Sequence, residues 1–178
     1  MGKPKRFPFS LRVKLYSKGK STPMSHDYPP MLKALHLKVT PKRLAILDLL
    51  ARTGTFVSPE EVRQNLQDQF ASIGLPTVYR NLDELASGGI IAKIIHPNRQ
   101  LYYYFCPNSN HHHHFICLSC RTVTDLHICA VKGLEDEIND QVGGKVMSHI
   151  LQVNGLCRRC YEKDKGSGNY LSNKGALS

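Results

Sequence analysis

Apolar residues in the first half of the chain recur at the three-to-four spacing of an amphipathic helix, and the breaks between runs carry capping signals. Residues 29–36 (PPMLKALH) predict a short helix after two prolines. Thr40-Pro41 opens a stronger one, because Thr caps well and Pro is tolerated at the first helical position. Leu44, Leu47 (or Ile46) and Leu50 repeat along it until Gly54 ends the pattern. Ser58-Pro59-Glu60-Glu61 has the form of a capping box, and the helix it starts is expected to bury Val62, Leu66 and Phe70. A further helix opens at Gly74-Leu75-Pro76, turns Val78, Leu82 and Leu85 inward, and stops at Gly88-Gly89.

The period then changes. Ile90–Ile95 and Leu101–Phe105 read as β-rich stretches around a His96-Pro97-Asn98-Arg99 turn. Helices followed by a β-hairpin are the order of a winged helix-turn-helix. Beyond residue 111 the pattern starts afresh: His114–Leu118 is strand-like, residues 130–142 helical, and Lys145–Val153 strand-like again. A boundary therefore falls near residues 104–110. The expected organisation is a basic tail over 1–23, a winged-helix unit over 24–104, a small α/β unit over 105–162 and a polar tail over 163–178. The fold class is α+β.

Charge changes this picture little. The formal net charge is +10, but residues 1–23 alone hold seven Lys or Arg and no acid, so the body is nearly neutral. Nucleic-acid binding has to be argued from particular residues instead. The first 23 residues are too broken for a signal peptide; they fit a solvated tail, a basic arm or transit-like segment, or a stretch preceding a true start at Met24. No apolar run is long enough for a transmembrane helix, and the expected location is the cytoplasm.

The cysteines do change it. Without a secretion signal, six cysteines read as thiolates rather than disulfides. Cys117/Cys120 and Cys157/Cys160 form two CxxC pairs, which together close a tetrahedral shell around one structural Zn²⁺. A redox role would need only one pair. Ahead of the first pair stand four consecutive histidines, His111–His114. Strand alternation sends His111 and His113 to one face and His112 and His114 to the other, so each pair can chelate its own metal. In the helix after Pro76, Thr77, Tyr79, Arg80 and Asp83 lie away from the apolar stripe, either as a solvated face or as groups able to meet base edges and phosphates.

Thr77-Val78-Tyr79-Arg80, the histidine run before Cys117, and Ser148-His149 eight residues before Cys157 together resemble the ferric uptake regulator family. The resemblance spans roughly residues 29–161. It implies a dimeric, metal-responsive transcription regulator: a winged helix followed by an α/β dimerisation domain. It also assigns Thr77, Tyr79 and Arg80 to DNA, and Lys38 to a minor-groove or phosphate contact.

Within that family the chain is most similar to the zinc uptake regulators, which place a Cys where Cys106 stands. A thiolate favours zinc over iron(II) or manganese(II). The iron- and peroxide-sensing branches use a His at the position of Phe56, which cannot bind metal. One regulatory site is then Cys106, His112 and His114, with His96 or Asp125 replacing a ligand that the family supplies at Ala92. The other is His111, His113 and His149 plus a carboxylate; Lys132 occupies its expected position and Glu135 is the nearest acid. Cys129 reads as a small buried hydrophobe, and His127 has no assigned role. The resulting expectation is a zinc-responsive repressor binding an A·T-rich palindrome as a homodimer, with iron, manganese or peroxide sensing as the alternative. A zinc enzyme is the remote reading, since the chain has neither HExxH nor HxE with PCxxC.

Overall fold

A computed structural model describes residues 27–108, 110–129 and 131–167. The basic tail over 1–23 and the last eleven residues of the polar tail lie outside the described residues. Four helices come first: α1 (Tyr28–Ala34), α2 (Pro41–Thr53), α3 (Pro59–Leu66) and α4 (Leu75–Ser87). Their limits follow the sequence signals. Thr40 Oγ1 accepts the Arg43 N–H at 3.3 Å, and Gly54 closes α2 in the left-handed conformation at φ 63°. The capping box before α3 is reciprocal: Ser58 Oγ accepts the Glu61 N–H at 3.1 Å, and Glu61 Oε2 accepts the Ser58 N–H at 2.8 Å. Phe70 lies beyond the end of α3 and is only half-buried. The first helix ends two residues earlier than the pattern suggests, because His36 turns into the left-handed region at φ 56°.

Strands β1 (Ile91–Ile95) and β2 (Leu101–Phe105) form an antiparallel wing pairing Ile91 with Phe105 and Ile95 with Leu101. Val57 adds a short bridge, exchanging both backbone hydrogen bonds with Tyr103 at 2.9 and 2.8 Å. Beneath the wing, Leu32, Ile46, Leu47, Leu50, Val62, Val78, Leu82 and Leu85 make one fully buried core. Each buried Leu or Ile is worth about 1.5–3 kcal/mol, so this core fixes the rotation of α4 and the face it presents outward.

The second unit is a three-stranded sheet of order β4-β3-β5: β3 (His113–Cys117) runs antiparallel to β4 (Val123–Leu126) and parallel to β5 (Gln152–Gly155). Helix α5 (Lys132–Val142) lies in the crossover from β4 to β5, and α6 (Arg158–Ser167) follows. Two expectations need correction here, and one element is added. Strand β3 begins and ends one residue early, Lys145–Leu151 is irregular rather than strand, and α6 forms where the pattern gives no helix. The residues of α6, RRCYEKDKGS, carry almost no apolar stripe; its first turn follows directly from the Cys157–Cys160 knuckle.

The two sheets meet through a second core of Phe56, Ile94, Tyr102, Ile116 and Val123. Arg121, at φ 62° just after the first CxxC, joins the units. Its guanidinium donates to Glu61 Oε1 at 2.5 Å and lies 5.7 and 5.6 Å from the ring centres of Phe56 and Tyr102. Burial would raise the Glu61 carboxyl, but the Ser58 backbone N–H and Arg121 outweigh it and hold the group below the ordinary carboxylate range. On the other side, the Gln152 amide pairs with both the N–H and the C=O of Ile95, at 3.1 and 2.8 Å.

Candidate metal centres and nucleic-acid interface

Three groups of donors gather around β3. The first is the paired knuckle, Cys117, Cys120, Cys157 and Cys160, whose sulfurs all lie within 4.8 Å of one another. Cys120 and Cys157 Sγ are 3.7 Å apart, and Cys117 Sγ accepts the Cys157 N–H at 3.3 Å. Hydrogen bonds from the Thr122 hydroxyl and backbone push Cys120 down to about 5. The Cys160 backbone N–H favours the Cys157 thiolate, yet desolvation and the three neighbouring sulfurs push that thiol up to about 11. The Cys120 thiolate forms readily and Cys157 resists joining it. A divalent cation at the centre removes that resistance, and four sulfurs leave no open position on zinc.

The second group is Cys106, His112, His114 and Asp125. Cys106 Sγ lies 3.1 Å from His112 Nε2 and 3.5 Å from His114 Nε2, while the two Nε2 atoms are 3.0 Å apart. The Asn110 carbonyl, 2.6 Å away, accepts the His112 Nδ1–H, which fixes the hydrogen on that nitrogen and leaves Nε2 free to ligate. Asp125 Oδ1 stands 3.8 Å from His114 Nε2, and its other oxygen accepts from Asn108 at 2.8 Å. Burial pushes the Cys106 thiol up to about 11 and His114 below the ordinary histidine range. Both shifts disfavour charge in an ion-free pocket, so a cation that binds there must displace the thiol proton.

Of the two alternatives for the fourth position, Asp125 is present and His96 is not. His96 packs instead against the rings of Phe56, tilted, and Tyr102, edge-on, with centroids 6.1 and 5.4 Å away, and its Nδ1 accepts the Asn98 N–H. Ala92, on the wing strand, brings no donor.

The third group is His111, His113, His149 and Cys129. Their imidazole centroids are 4.7 to 5.1 Å apart, and Cys129 Sγ is 3.4 Å from His149 Nε2. Two expectations fail here. Glu135 is exposed inside α5, whereas the chain meets the histidines before that helix begins. Cys129 is no buried hydrophobe: it is half-buried against His149 and supplies the fourth donor. The readable signal was a soft donor in the turn ahead of α5, three residues before the position where a carboxylate was sought. His127 is exposed and outside all three groups.

On the winged-helix unit, Arg80 and Tyr79 are exposed on α4 and Thr77 is half-buried. Lys38, Lys42, Thr77 and Arg80 line one shallow hollow between α4 and the start of α2. Arg43, only 6% exposed, holds that hollow in shape: it pairs with Glu84 and donates to the Lys38 carbonyl at 2.6 Å. The Tyr79 hydroxyl donates to Glu60 Oε1 at 3.1 Å. Asp83 is exposed on α4 but already engaged by Lys93 and the Tyr103 hydroxyl.

A helix-turn-helix with a wing, joined to a small sheet bearing thiolate and imidazole clusters, defines a metal-binding DNA-binding regulator. Residues 34–154 match the model of the ferric uptake regulator family, and the chain belongs to that family. It is 33% identical over 136 residues to the ferric uptake regulation protein of Neisseria gonorrhoeae, covering 75% of this chain and 93% of that one. The Vibrio cholerae ferric uptake regulator superposes with a TM-score of 0.54 at 30% identity, covering 74% of this chain and all of that one. A zinc uptake regulator complexed with zinc and DNA gives a TM-score of 0.65 at 22% identity, covering 78% and 93%, a likeness of fold. The chain is thus a metal-responsive transcription regulator and not an enzyme. Among the described residues, no helix is long and apolar enough to cross a membrane.

Proposed function

We propose that the chain is a zinc-responsive repressor of metal-homeostasis genes. The single observation that carries this reading is the donor set Cys106, His112, His114 and Asp125, gathered within 4.8 Å. A thiolate with two imidazoles is a borderline-to-soft set that suits zinc better than iron(II) or manganese(II). Phe56, where the iron- and peroxide-sensing branches carry an imidazole, lies in the core between the sheets. Iron sensing is the second reading, favoured by the name of the Neisseria relative.

In this account residues 24–104 form the DNA-binding unit and residues 105–162 the metal-binding and dimerisation unit. Cys106 directly follows the wing, while His112 and His114 enter β3 and Asp125 belongs to β4. A zinc ion held by these four ties the end of the wing to the second sheet and fixes the angle between the units. Turning a one-to-ninety-nine population of competent protein into ninety-nine-to-one takes about 5.5 kcal/mol of differential binding. One well-made thiolate–imidazole site supplies energy on that scale. Two recognition helices then meet successive major grooves of an A·T-rich palindrome in the cytoplasm. A second copy of the chain covers the exposed apolar residues Ile128, Leu134, Val142, Met147 and Ile150 of the small unit.

Two variants test the DNA face on duplexes selected from a random pool by the zinc-loaded protein. Arg80→Ala is expected to lose about 1–3 kcal/mol of discrimination at one base position. Lys38→Ala is expected to weaken binding evenly across sequences and to flatten its salt dependence by about one phosphate contact. Unchanged binding in both overturns the assigned face. The metal is tested by capturing the protein on the selected duplex from equal buffered zinc, iron(II) and manganese(II). The captured complex should carry zinc beyond the structural ion; iron in that position hands the site to the second reading.

A further inference from the structure

Arg121 holds a backbone conformation that few side chains accept. Its φ of 62° lies in the left-handed region, which a residue other than glycine occupies at a cost. The strain falls at the first knuckle, where the Arg121 N–H donates to the Cys117 carbonyl at 2.9 Å. What this conformation achieves lies across the interface between the two units.

From there the guanidinium reaches three residues of the winged-helix unit. It pairs with Glu61, and its central carbon lies over the rings of Phe56 and Tyr102, both buried. A half-exposed ion pair alone stabilises little, but a cation over two buried rings adds to it. The backbone joins in: the Phe56 N–H donates to the Arg121 carbonyl at 3.4 Å, and Thr122 bridges to Thr55.

Both ends of this strut are anchored. Behind it, the Thr122 hydroxyl is 3.2 Å from Cys120 Sγ, so the segment carrying Arg121 belongs to the knuckle. In front, Glu61 is the reciprocal member of the box that caps α3, and the adjacent Glu60 accepts the Tyr79 hydroxyl of α4. Gln152 on Ile95 holds another point of the same interface. Arg121, Glu61, Phe56, Tyr102 and Gln152 all stand outside the three donor groups.

We propose that Arg121 is the positioning residue that fixes the winged-helix unit on the second sheet, and that it thereby sets the spacing of half-sites that two copies of the chain can occupy together. Two recognition helices engage successive half-sites only at a separation that matches the protein. An angle held at several points of the interface gives one separation, and an angle free to swing gives many. The inference rests on the proposed function for the paired copies and the palindrome, whereas the fixed angle is a property of the single chain.

The test uses Arg121→Gly in the full, zinc-loaded chain. Glycine adopts positive φ without strain, so this variant removes the guanidinium while easing the backbone of the knuckle, and its zinc content should equal that of the unaltered protein. Spin labels on non-natural residues at the exposed positions Asp68 and Thr124, one in each unit, report the distance between the units in labelled chains diluted with unlabelled ones. Arg121→Gly should broaden that distance distribution. Three duplexes read the consequence: the selected palindrome, the same with one half-site scrambled, and the same with a few base pairs inserted between the half-sites. Affinity for the palindrome should fall by about tenfold, and so should discrimination against the widened one, as the advantage of simultaneous engagement shrinks. Affinity for the single half-site should not change. Glu61→Gln, whose amide oxygen can still cap Ser58, should broaden the distances less on its own and add nothing to Arg121→Gly. An unaltered distance distribution in Arg121→Gly overturns the strut, and an unaltered spacing preference overturns its role in specificity. Should Arg121→Gly fail to fold, Glu61→Gln decides by the same two readouts. Equal affinity of the unaltered protein for the palindrome and the single half-site would remove the paired copies of the proposed function, and the distance measurement would still decide the strut.

Discussion

Replacing Cys120 by Ser should abolish the structural zinc and, with it, the fold of the small unit. Among the described residues the second sheet has three short strands, and its buried residues are few: His113, Ile116, Cys117 and Val123, with Cys160 from α6. A unit of this size seldom stabilises itself by apolar burial alone. Apparent binding energies of structural zinc, about 10–16 kcal/mol at neutral pH, equal or exceed the whole stability of an ordinary domain. Cys120 is also held as a readily formed thiolate by Thr122, so its loss removes a donor already poised for the ion. The expected result is a chain without chelator-resistant zinc, monomeric and unfolded beyond residue 105, with α2–α4 still helical. Circular dichroism, zinc content and sedimentation read these together. A dimer of normal stability that holds no zinc at the knuckle would contradict the assignment.

Cys106→Ser should separate folding from response. Cys106 is buried at the end of the wing and takes no part in the knuckle, so the variant should fold and keep its structural zinc. Changing a mere outer-shell partner of a metal ligand commonly costs 10–100-fold in affinity, so losing the thiolate itself should move the zinc midpoint for DNA binding by about 100-fold or more. Serine is nearly the same size, which keeps packing loss small. A midpoint and amplitude equal to those of the unaltered protein would make Cys106 a packing thiol.

Much of this was legible because local chemistry decides it. Thr40, the Ser58/Glu61 box and Gly54 set helix limits through a few backbone hydrogen bonds, and the stripe of Val78, Leu82 and Leu85 follows from period alone. Two CxxC pairs and alternation along β3 likewise need only short-range geometry. What was not legible depends on where distant segments meet. His96 and Asp125 were equal candidates in the sequence; the strand pairing of His114 with Asp125 brings the acid across, while the wing turn carries His96 onto Phe56. Glu135 was chosen by distance along the chain, but α5 starts late and Cys129 meets the histidines first. Arg121 gave no signal, because its partners Glu61, Phe56 and Tyr102 come from three separate places in the chain. Residues Lys145–Leu151 have strand-like composition, yet β3 pairs only with Gln152–Gly155 on that side, and the stretch before it finds no partner.

The central claim is that zinc, through Cys106, His112, His114 and Asp125, controls DNA binding. It is tested most directly by the affinity of the full-length, structurally zinc-loaded protein for its selected duplex, measured against separately buffered free zinc, iron(II) and manganese(II). The account predicts a steep rise in affinity with zinc, at free concentrations far below those at which iron(II) or manganese(II) act. A response confined to iron(II) or manganese(II), or an affinity that none of the three metals changes, would contradict it.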